Sequence, residues 1–277
     1  MKTVTLHNRR SVPALGIGTW KMGEDGRRRS GEVAALRRAI DLGMTLIDTA
    51  EMYGEGAAEE LVGEAIRGRR EEVFLVSKVY PHNAGRHSAI EACERSLRQL
   101  GVGQIDLYLL HWRGSIPLEE TFEAFSRLVA DGKIGAYGVS NLDTSDMEEA
   151  WGIAAGRGTA VNQILYNLGR RAVELDLLPW CRAHQVPVMA YSPVEQGRLL
   201  RNRKLKEIAQ GRGATPAQIA IAWLLAQQGV IAIPKAGDVK HVEENRHAGE
   251  IALSDAEMAA LDEAFPRPRE RRPLEML

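Results

Sequence analysis

Apolar positions along the chain fall in short unbroken runs, separated by longer stretches in which they recur every three or four residues. The runs are LGIGTW (15–20), MTLIDTA (44–50), VFLVSKVY (73–80), IDLYLLHW (105–112), IGAYGVSN (134–141), AVNQILY (160–166), VPVMAYSP (186–193) and VIAIPKA (230–236). Each is rich in Val, Ile, Leu or Tyr and continuous rather than alternating, the pattern of strands covered on both faces. The stretches between them have helical period. In 31–43, Val33, Leu36, Ile40 and Leu42 form one stripe and Gly43 supplies the stop, with Ser30 as the expected cap and Glu32 in the first turn. Segment 87–101 repeats the stripe with Ile90, Cys93, Leu97 and Leu100, and 117–132 runs from Pro117 to Gly132. Segments 215–229 and 254–266 also read as helices. Eight strand–helix alternations without a Pro-, Gly- or Ser-rich linker predict an α/β TIM (β/α)8 barrel, one domain over 1–277 with a short C-terminal helix and tail. A doubly wound sheet would want a glycine fingerprint in its first strand-to-helix turn, and Gly16-Ile17-Gly18-Thr19-Trp20-Lys21 lacks the third glycine.

Composition narrows the function classes. The 277 residues are 44% hydrophobic and 26% charged, which excludes a disordered or low-complexity chain. Thirty-six basic against 37 acidic residues leave a net charge of −1, against a nucleic-acid or acidic-membrane partner. Cys93 and Cys181 are too few for a disulfide framework or a CxxC zinc site, and no Asp/Glu/His spacing calls for a metal. With no apolar signal segment and no apolar run of membrane-spanning length, the chain is expected to be soluble and cytoplasmic.

In a barrel, chemistry collects at the C-terminal ends of the strands. Of the chain's 5 Trp, 6 Tyr and 4 Phe, six (Trp20, Tyr53, Tyr80, Trp112, Tyr166 and Tyr191) fall at or just past predicted strand ends, where they would line a pocket with flat apolar walls. Each titratable residue there has an ordinary explanation when taken alone. Asp48 suits a turn cap, Tyr53 a rim, and His111 a satisfied structural histidine. Lys78 is harder to explain away, because a lysine inside a buried strand end needs a carboxylate or loses its charge, and Asp48 on the neighbouring strand is the expected partner. Together the four converge from three consecutive strands. A phenol near pKa 10 is a poor acid, and a neighbouring ammonium is expected to lower that value, while a neutral imidazole orients a carbonyl oxygen. Such a group donates a proton to an oxygen gaining negative charge, as in carbonyl reduction by hydride from a cofactor.

These pieces resemble the aldo-keto reductases over essentially the whole chain: GIGTW, LIDTAEMYGEG, VFLVSK, IDLYLLHW, GKIGAYGVSN, NQILYN, MAYSPVEQGRL and IPKAGDVKHVEEN, in that order. The resemblance implies a nicotinamide cofactor, NADPH with NADH as the weaker alternative, and reduction of aldehydes or ketones to alcohols. It carries the catalytic tetrad onto Asp48, Tyr53, Lys78 and His111, with Tyr53 as proton donor. The carboxamide would be held by Ser140, Asn141 and Gln163, and the nicotinamide ring stacked on Tyr191. Ser192, Gly197 and Leu199 would fall in the loop over the pyrophosphate. Lys235 would meet the adenosine ribose phosphate, Glu244 and Asn245 the adenine, and Trp20, Tyr80 and Trp112 the substrate. The phrasing is similar to the bacterial branch that includes methylglyoxal reductases, which makes methylglyoxal and other small 2-oxoaldehydes the expected substrates and a monomer the expected state.

Two departures qualify this pattern. The family's usual serine after the lysine, and its arginine six residues after it, are here Ala236 and His241. A histidine is only partly charged at neutral pH and cannot fork onto a phosphate, so the margin of NADPH over NADH is expected to narrow. The loop after YSPVEQGRLL and the tail RPRERRPLEML are short, which predicts an open mouth without a specificity wall. The triplet Arg27, Arg28 and Arg29 and the arginines of the tail read as solvated surface. Two rivals stay open on sequence alone: a Schiff-base lyase acting through Lys78, and a cofactor-sensing subunit with weak catalysis.

Overall fold

A computed structural model describes residues 1–277. It opens with a hairpin of two short antiparallel strands, β1 (Thr3–Thr5) and β2 (Ser11–Pro13), that the sequence pattern does not announce. Eight parallel strands follow, one for each predicted run but shorter: β3 (Ile17–Gly18), β4 (Leu46–Asp48), β5 (Phe74–Val79), β6 (Ile105–Leu110), β7 (Ile134–Ser140), β8 (Asn162–Leu165), β9 (Val188–Tyr191) and β10 (Val230–Ala232). They pair in chain order, and the parallel bridges Leu15–Ala232 and Gly18–Lys235 join the last strand's end to the first, which closes the ring. The expected barrel is therefore present.

The helices are α1 (Arg29–Asp41), α2 (Ala57–Ile66), α3 (Ser88–Leu100), α4 (Leu118–Ala130), α5 (Thr144–Gly152), α6 (Leu177–Ala183), α7 (Arg203–Gly211), α8 (Pro216–Ala226), α9 (Val239–Ala248) and α10 (Asp255–Ala264). The expected stops at Gly43 and Gly101 hold, both with left-handed φ near +81° and +64°. Ser30 is not the cap of α1. The helix starts at Arg29, two residues earlier than a Ser30 cap would allow, and Arg28 precedes it without a capping side chain.

Two apolar clusters divide the core. The larger packs the outer faces of the strands against the helices. The smaller fills the barrel: Leu46, Phe74, Val76, Leu107, Leu109, Ala136, Val161, Met189, Ile231 and Ile233, with Val4, Leu6 and Val12 of the hairpin packed into the same cluster. Side chains two apart on a strand share a face. Two residues beyond Leu46, Val76, Leu109, Val161, Met189 and Ile233 therefore stand Asp48, Lys78, His111, Gln163, Tyr191 and Lys235, and Ser140 follows Ala136 by four. The topmost layer inside the barrel is polar where the layers beneath are apolar.

Candidate active site

That polar layer is the floor of a cavity of about 650 Å³ at the C-terminal end of the strands. Just beneath the floor lies Lys78, fully buried at 0% exposure. Its Nζ donates to Asp48 Oδ2 at 2.8 Å, to the Thr49 carbonyl at 2.8 Å and to the Tyr53 hydroxyl at 3.2 Å. The other Asp48 oxygen accepts from Gln163 Nε2 at 2.7 Å. The sequence expectation of an Asp48–Lys78 pair is met. Burial works to strip Lys78 of its proton, but Asp48 first and Tyr53 second outweigh it, so its pKa is raised above the ordinary lysine value.

Tyr53 reaches this point because the chain leaves β4 through a short 3-10 turn, Tyr53–Gly56, in which Gly54, Glu55 and Gly56 all take positive φ. Such a run of left-handed residues is costly except at glycine. It folds the turn back over the barrel mouth. The expected lowering of the Tyr53 pKa does not occur. Burial is the largest influence and raises it, the Lys78 charge opposes, Asp48 adds to the rise, and the net direction is upward. The phenol therefore keeps its proton through neutral pH. His111 stands edge-on to Tyr53, ring centroids 5.8 Å apart. Burial first and the Lys78 charge second push its pKa down to about 2, so the imidazole is neutral, as expected. Its Nδ1 is buried without a hydrogen-bond partner, an uncommon state for a buried ring nitrogen.

The remaining expected residues divide by position. Ser140, Asn141, Gln163, Tyr191, Ser192, Lys235, Trp20 and Trp112 line the cavity. They are tied to one another: Tyr191 donates its hydroxyl to Asn141 Oδ1 at 3.0 Å, Asn141 Nδ2 donates to the His111 carbonyl at 3.1 Å, and Ser140 Oγ to the Gln163 carbonyl at 2.9 Å. Gly197 and Leu199 lie in the turn Glu195–Arg201 beyond the lining, and Ala236 is buried behind Lys235. His241, Glu244 and Asn245 are on α9, and the His241 ring contacts Asp238 at 2.6 Å.

Tyr80, expected to wall the substrate, does not line the cavity. Glu51 accepts its backbone N–H at 2.7 Å, and its ring packs on His82 and against Trp112, with centroids 4.7 and 5.7 Å away. It backs the wall instead. Tyr166, also placed at the pocket by its strand end, is a core residue packed against Trp223 with its hydroxyl on Glu174. The open mouth is corrected as well, because the tail returns over the barrel and Met276 and Leu277 line the cavity. Arg170 holds that tail by bridging Glu195 and Glu275. Met52, Lys21, Thr19 and Ile233 also line the cavity without having been singled out. Ile233 shares the face of Ile231 and Lys235, so strand parity alone would have found it.

A ring-closed (β/α)8 barrel with a buried Asp–Lys–Tyr–His cluster at its C-terminal mouth defines an oxidoreductase of one class, and residues 14–265 match the Aldo/keto reductase family. The chain belongs to that family. It is 55% identical over 272 residues to methylglyoxal reductase YeaE of Escherichia coli, covering 96% of each chain. To glyoxal reductase of Bacillus subtilis it is 36% identical over 263 residues, 94% of this chain and 91% of the other. Among solved structures, an aldo/keto reductase from Klebsiella pneumoniae crystallised with NADP and acetate superposes with a TM-score of 0.98 at 52% identity, covering 100% of this chain and 99% of that one.

Proposed function

We propose that the protein reduces small aldehydes and ketones, 2-oxoaldehydes such as methylglyoxal foremost, to alcohols with NADPH, using Tyr53 as the proton donor. The observation that carries this reading is the fully buried Lys78 ammonium, paired with Asp48 and 3.2 Å from the only phenol that faces both it and the cavity. A protonated phenol with a cation behind it can release its proton to an oxygen that is gaining charge, because the resulting phenolate is met by the ammonium. Asp48 keeps the lysine charged. His111, neutral and edge-on to Tyr53, is placed to orient the carbonyl oxygen beside the phenol.

The cavity fits a nicotinamide dinucleotide. It extends from the polar floor at Asp48 and Gln163, past Tyr191 and Ser192, to Lys235 at the rim. Next to Lys235, Gly237 leaves open a position that any side chain would crowd, since an added Cβ would stand 3.0 Å from Lys235 Nζ. Bound there, the cofactor would supply the hydride. Tyr191 would take the nicotinamide face, Ser140, Asn141 and Gln163 the carboxamide, and Lys235 the ribose phosphate. The NADP-bound Klebsiella relative and the names of the two bacterial reductases support the cofactor and the substrate class. Trp20, Trp112, Met276 and Leu277 give the cavity an apolar wall for the carbon side of a carbonyl substrate. A Schiff base on Lys78 is disfavoured, because attack needs a neutral amine with a free lone pair and this one is a charged donor to three acceptors.

The test follows NADPH absorbance with methylglyoxal and a panel of aromatic aldehydes. Tyr53→Phe keeps the ring and removes the acid, so turnover should fall by about 10²–10⁴ while NADPH affinity stays. A wild type that binds NADPH but is inert across the panel would overturn the reading.

A further inference from the structure

The lysine at the cavity rim is not alone. We propose that Arg28 joins Lys235 in holding the phosphate on the adenosine ribose of the cofactor, and so supplies the guanidinium that the chain lacks at position 241. The inference rests on the NADPH reading above and adds to it a residue from the opposite end of the chain.

Closure of the barrel brings the two together. Gly18 of β3 bridges Lys235, and the connection from β3 to α1 ends at Arg28. A methyl group placed on Gly237 would stand 3.0 Å from Lys235 Nζ and 3.2 Å from Arg28 Nη2, so the two cationic nitrogens are at most about 6 Å apart around one side-chain-free spot. Like charges at that separation repel unless an anion lies between or beside them. Partial burial first and Arg28 second hold the Lys235 ammonium below the ordinary lysine range, with Glu32, Asp238 and Glu24 opposing more weakly.

Two of those acids have other partners as well. Glu32 is buried, accepts the Gly23 N–H at 2.9 Å and lies 3.8 Å from Arg28 Nε. Asp238 caps the His241 N–H at 2.9 Å and takes the His241 ring at 2.6 Å. The same contact turns the imidazole of His241 to Asp238. The Arg28 side chain is 56% exposed and free to turn onto a ligand at the rim.

A phosphomonoester carries nearly two negative charges at neutral pH and presents three acceptor oxygens. An ammonium as a point charge and a guanidinium as a fork match it. The hydroxyl of an unphosphorylated ribose offers neither charge nor those acceptors. Arg28 thus contributes to the phosphorylated dinucleotide and hardly to the other.

Binding separates this from the activity of the loaded enzyme. Dissociation constants for NADP+, NAD+, adenosine 2′,5′-bisphosphate and AMP would be measured by calorimetry on wild type, Arg28→Gln and Arg28→Lys. Arg28→Gln should weaken NADP+ and the bisphosphate about 10- to 100-fold and leave NAD+ and AMP within about twofold. Arg28→Lys should fall between, and the salt dependence of NADP+ binding should flatten in Arg28→Gln. Unchanged NADP+ affinity, or equal weakening of NADP+ and NAD+, overturns the role of Arg28 while leaving NADPH as the cofactor. A wild type that binds neither dinucleotide overturns the cofactor reading and this proposal with it.

Discussion

Replacing Asp48 by Asn tests what keeps the central lysine charged. The carboxylate faces two donors, Lys78 Nζ at 2.8 Å and Gln163 Nε2 at 2.7 Å, and an amide has only one acceptor for the two of them. Whichever way Asn turns, its NH2 confronts a donor: facing Lys78, it leaves the lysine with the Thr49 carbonyl and the Tyr53 hydroxyl, and facing Gln163, it leaves the lysine a neutral acceptor but no counter-charge. Breaking one side of a buried ion pair costs about 3–5 kcal/mol, so urea unfolding should register a loss of that order. The lysine escapes part of the penalty by shedding its proton, and Tyr53 then loses the charge behind it. Turnover of methylglyoxal should drop at least about 10²-fold. The double change Asp48→Asn with Lys78→Met removes both charges. It should recover most of the stability, because an apolar replacement of a buried pair is often neutral, yet it should recover none of the turnover. The pH dependence has a definite sign. The folded Lys78 pKa lies above the ordinary lysine value of 10.5, so the stabilisation is fully present below that value and is lost only as pH rises through the folded pKa. From about pH 6 to 9 Lys78 therefore adds no slope to wild-type stability, whereas the variant's lysine, charged when unfolded and partly neutral when folded, makes Asp48→Asn more stable as pH rises, so the stability gap should narrow across that window. Wild-type stability and turnover in Asp48→Asn, or an active double variant, would refute the reasoning.

Three further outcomes follow from other groups. His111 falls from 6.5 to about 2 on folding, so the unfolded chain takes up its proton first and the stability of wild type relative to His111→Gln should decline as pH drops below 6.5. The slope of that difference should approach about 1.4 kcal/mol per pH unit in urea titrations between pH 5 and 7, while wild-type stability alone stays nearly flat there because Glu59 titrates with the opposite sign. Glu59, buried behind β5 with one oxygen on Ser77 Oγ and the other unpartnered, is raised from 4.5 to about 7 by burial. The stability of wild type relative to Glu59→Gln should fall as pH rises through that window, leaving Glu59→Gln the more stable by about 3 kcal/mol at pH 8 but not at pH 4.5, again by urea unfolding. Met276→Gly with Leu277→Gly opens the cavity wall, so KM should fall about threefold or more for bulky aromatic aldehydes and move less than about twofold for methylglyoxal. Equal shifts for both would mean that the tail is not a specificity wall.

The barrel was legible because its strands are covered on both faces, and unbroken apolar runs of that kind have few other homes. The hairpin β1–β2 escaped notice because three residues per strand are too few to establish an alternation. Ser30 misled for a different reason: propensity favours serine as a cap, but α1 gains two more residues, Arg29 and Ser30, and has no side-chain cap there. The Asp48–Lys78 pair was legible because a buried cation leaves no alternative to a nearby anion. Tyr166 was misplaced because nearness to a strand end says nothing about face. Val161 and Gln163 point inward, so Tyr166, an odd number of positions away, points to the helices and meets Trp223. The tail carries no pattern at all, and three-dimensional contacts, Arg170 with Glu275, Arg271 with Asp176 and Leu274 against the core among them, bring Met276 and Leu277 to the cavity.

Tyr53 marks where charge reasoning from the chain alone gives out. Counting neighbours predicts a lowered pKa, because the nearest full charge is an ammonium. The same burial that makes the ammonium effective also disfavours the phenolate, and Asp48, which keeps the lysine charged, cancels part of its field at the phenol. In the resting site the proton is consequently held more firmly than on a free tyrosine. For a proton donor this is no contradiction. A donor must keep its proton until an oxygen beside it becomes basic, and at that moment the preset Lys78 charge, which needs no reorganisation, stabilises the phenolate. Placement of Tyr53 and Lys78 against the reacting oxygen would then set the rate, more than the resting acidity of the phenol. A substitution that moves the Tyr53–Lys78 contact from 3.2 Å should accordingly cost more turnover than one that alters the Tyr53 pKa at fixed geometry.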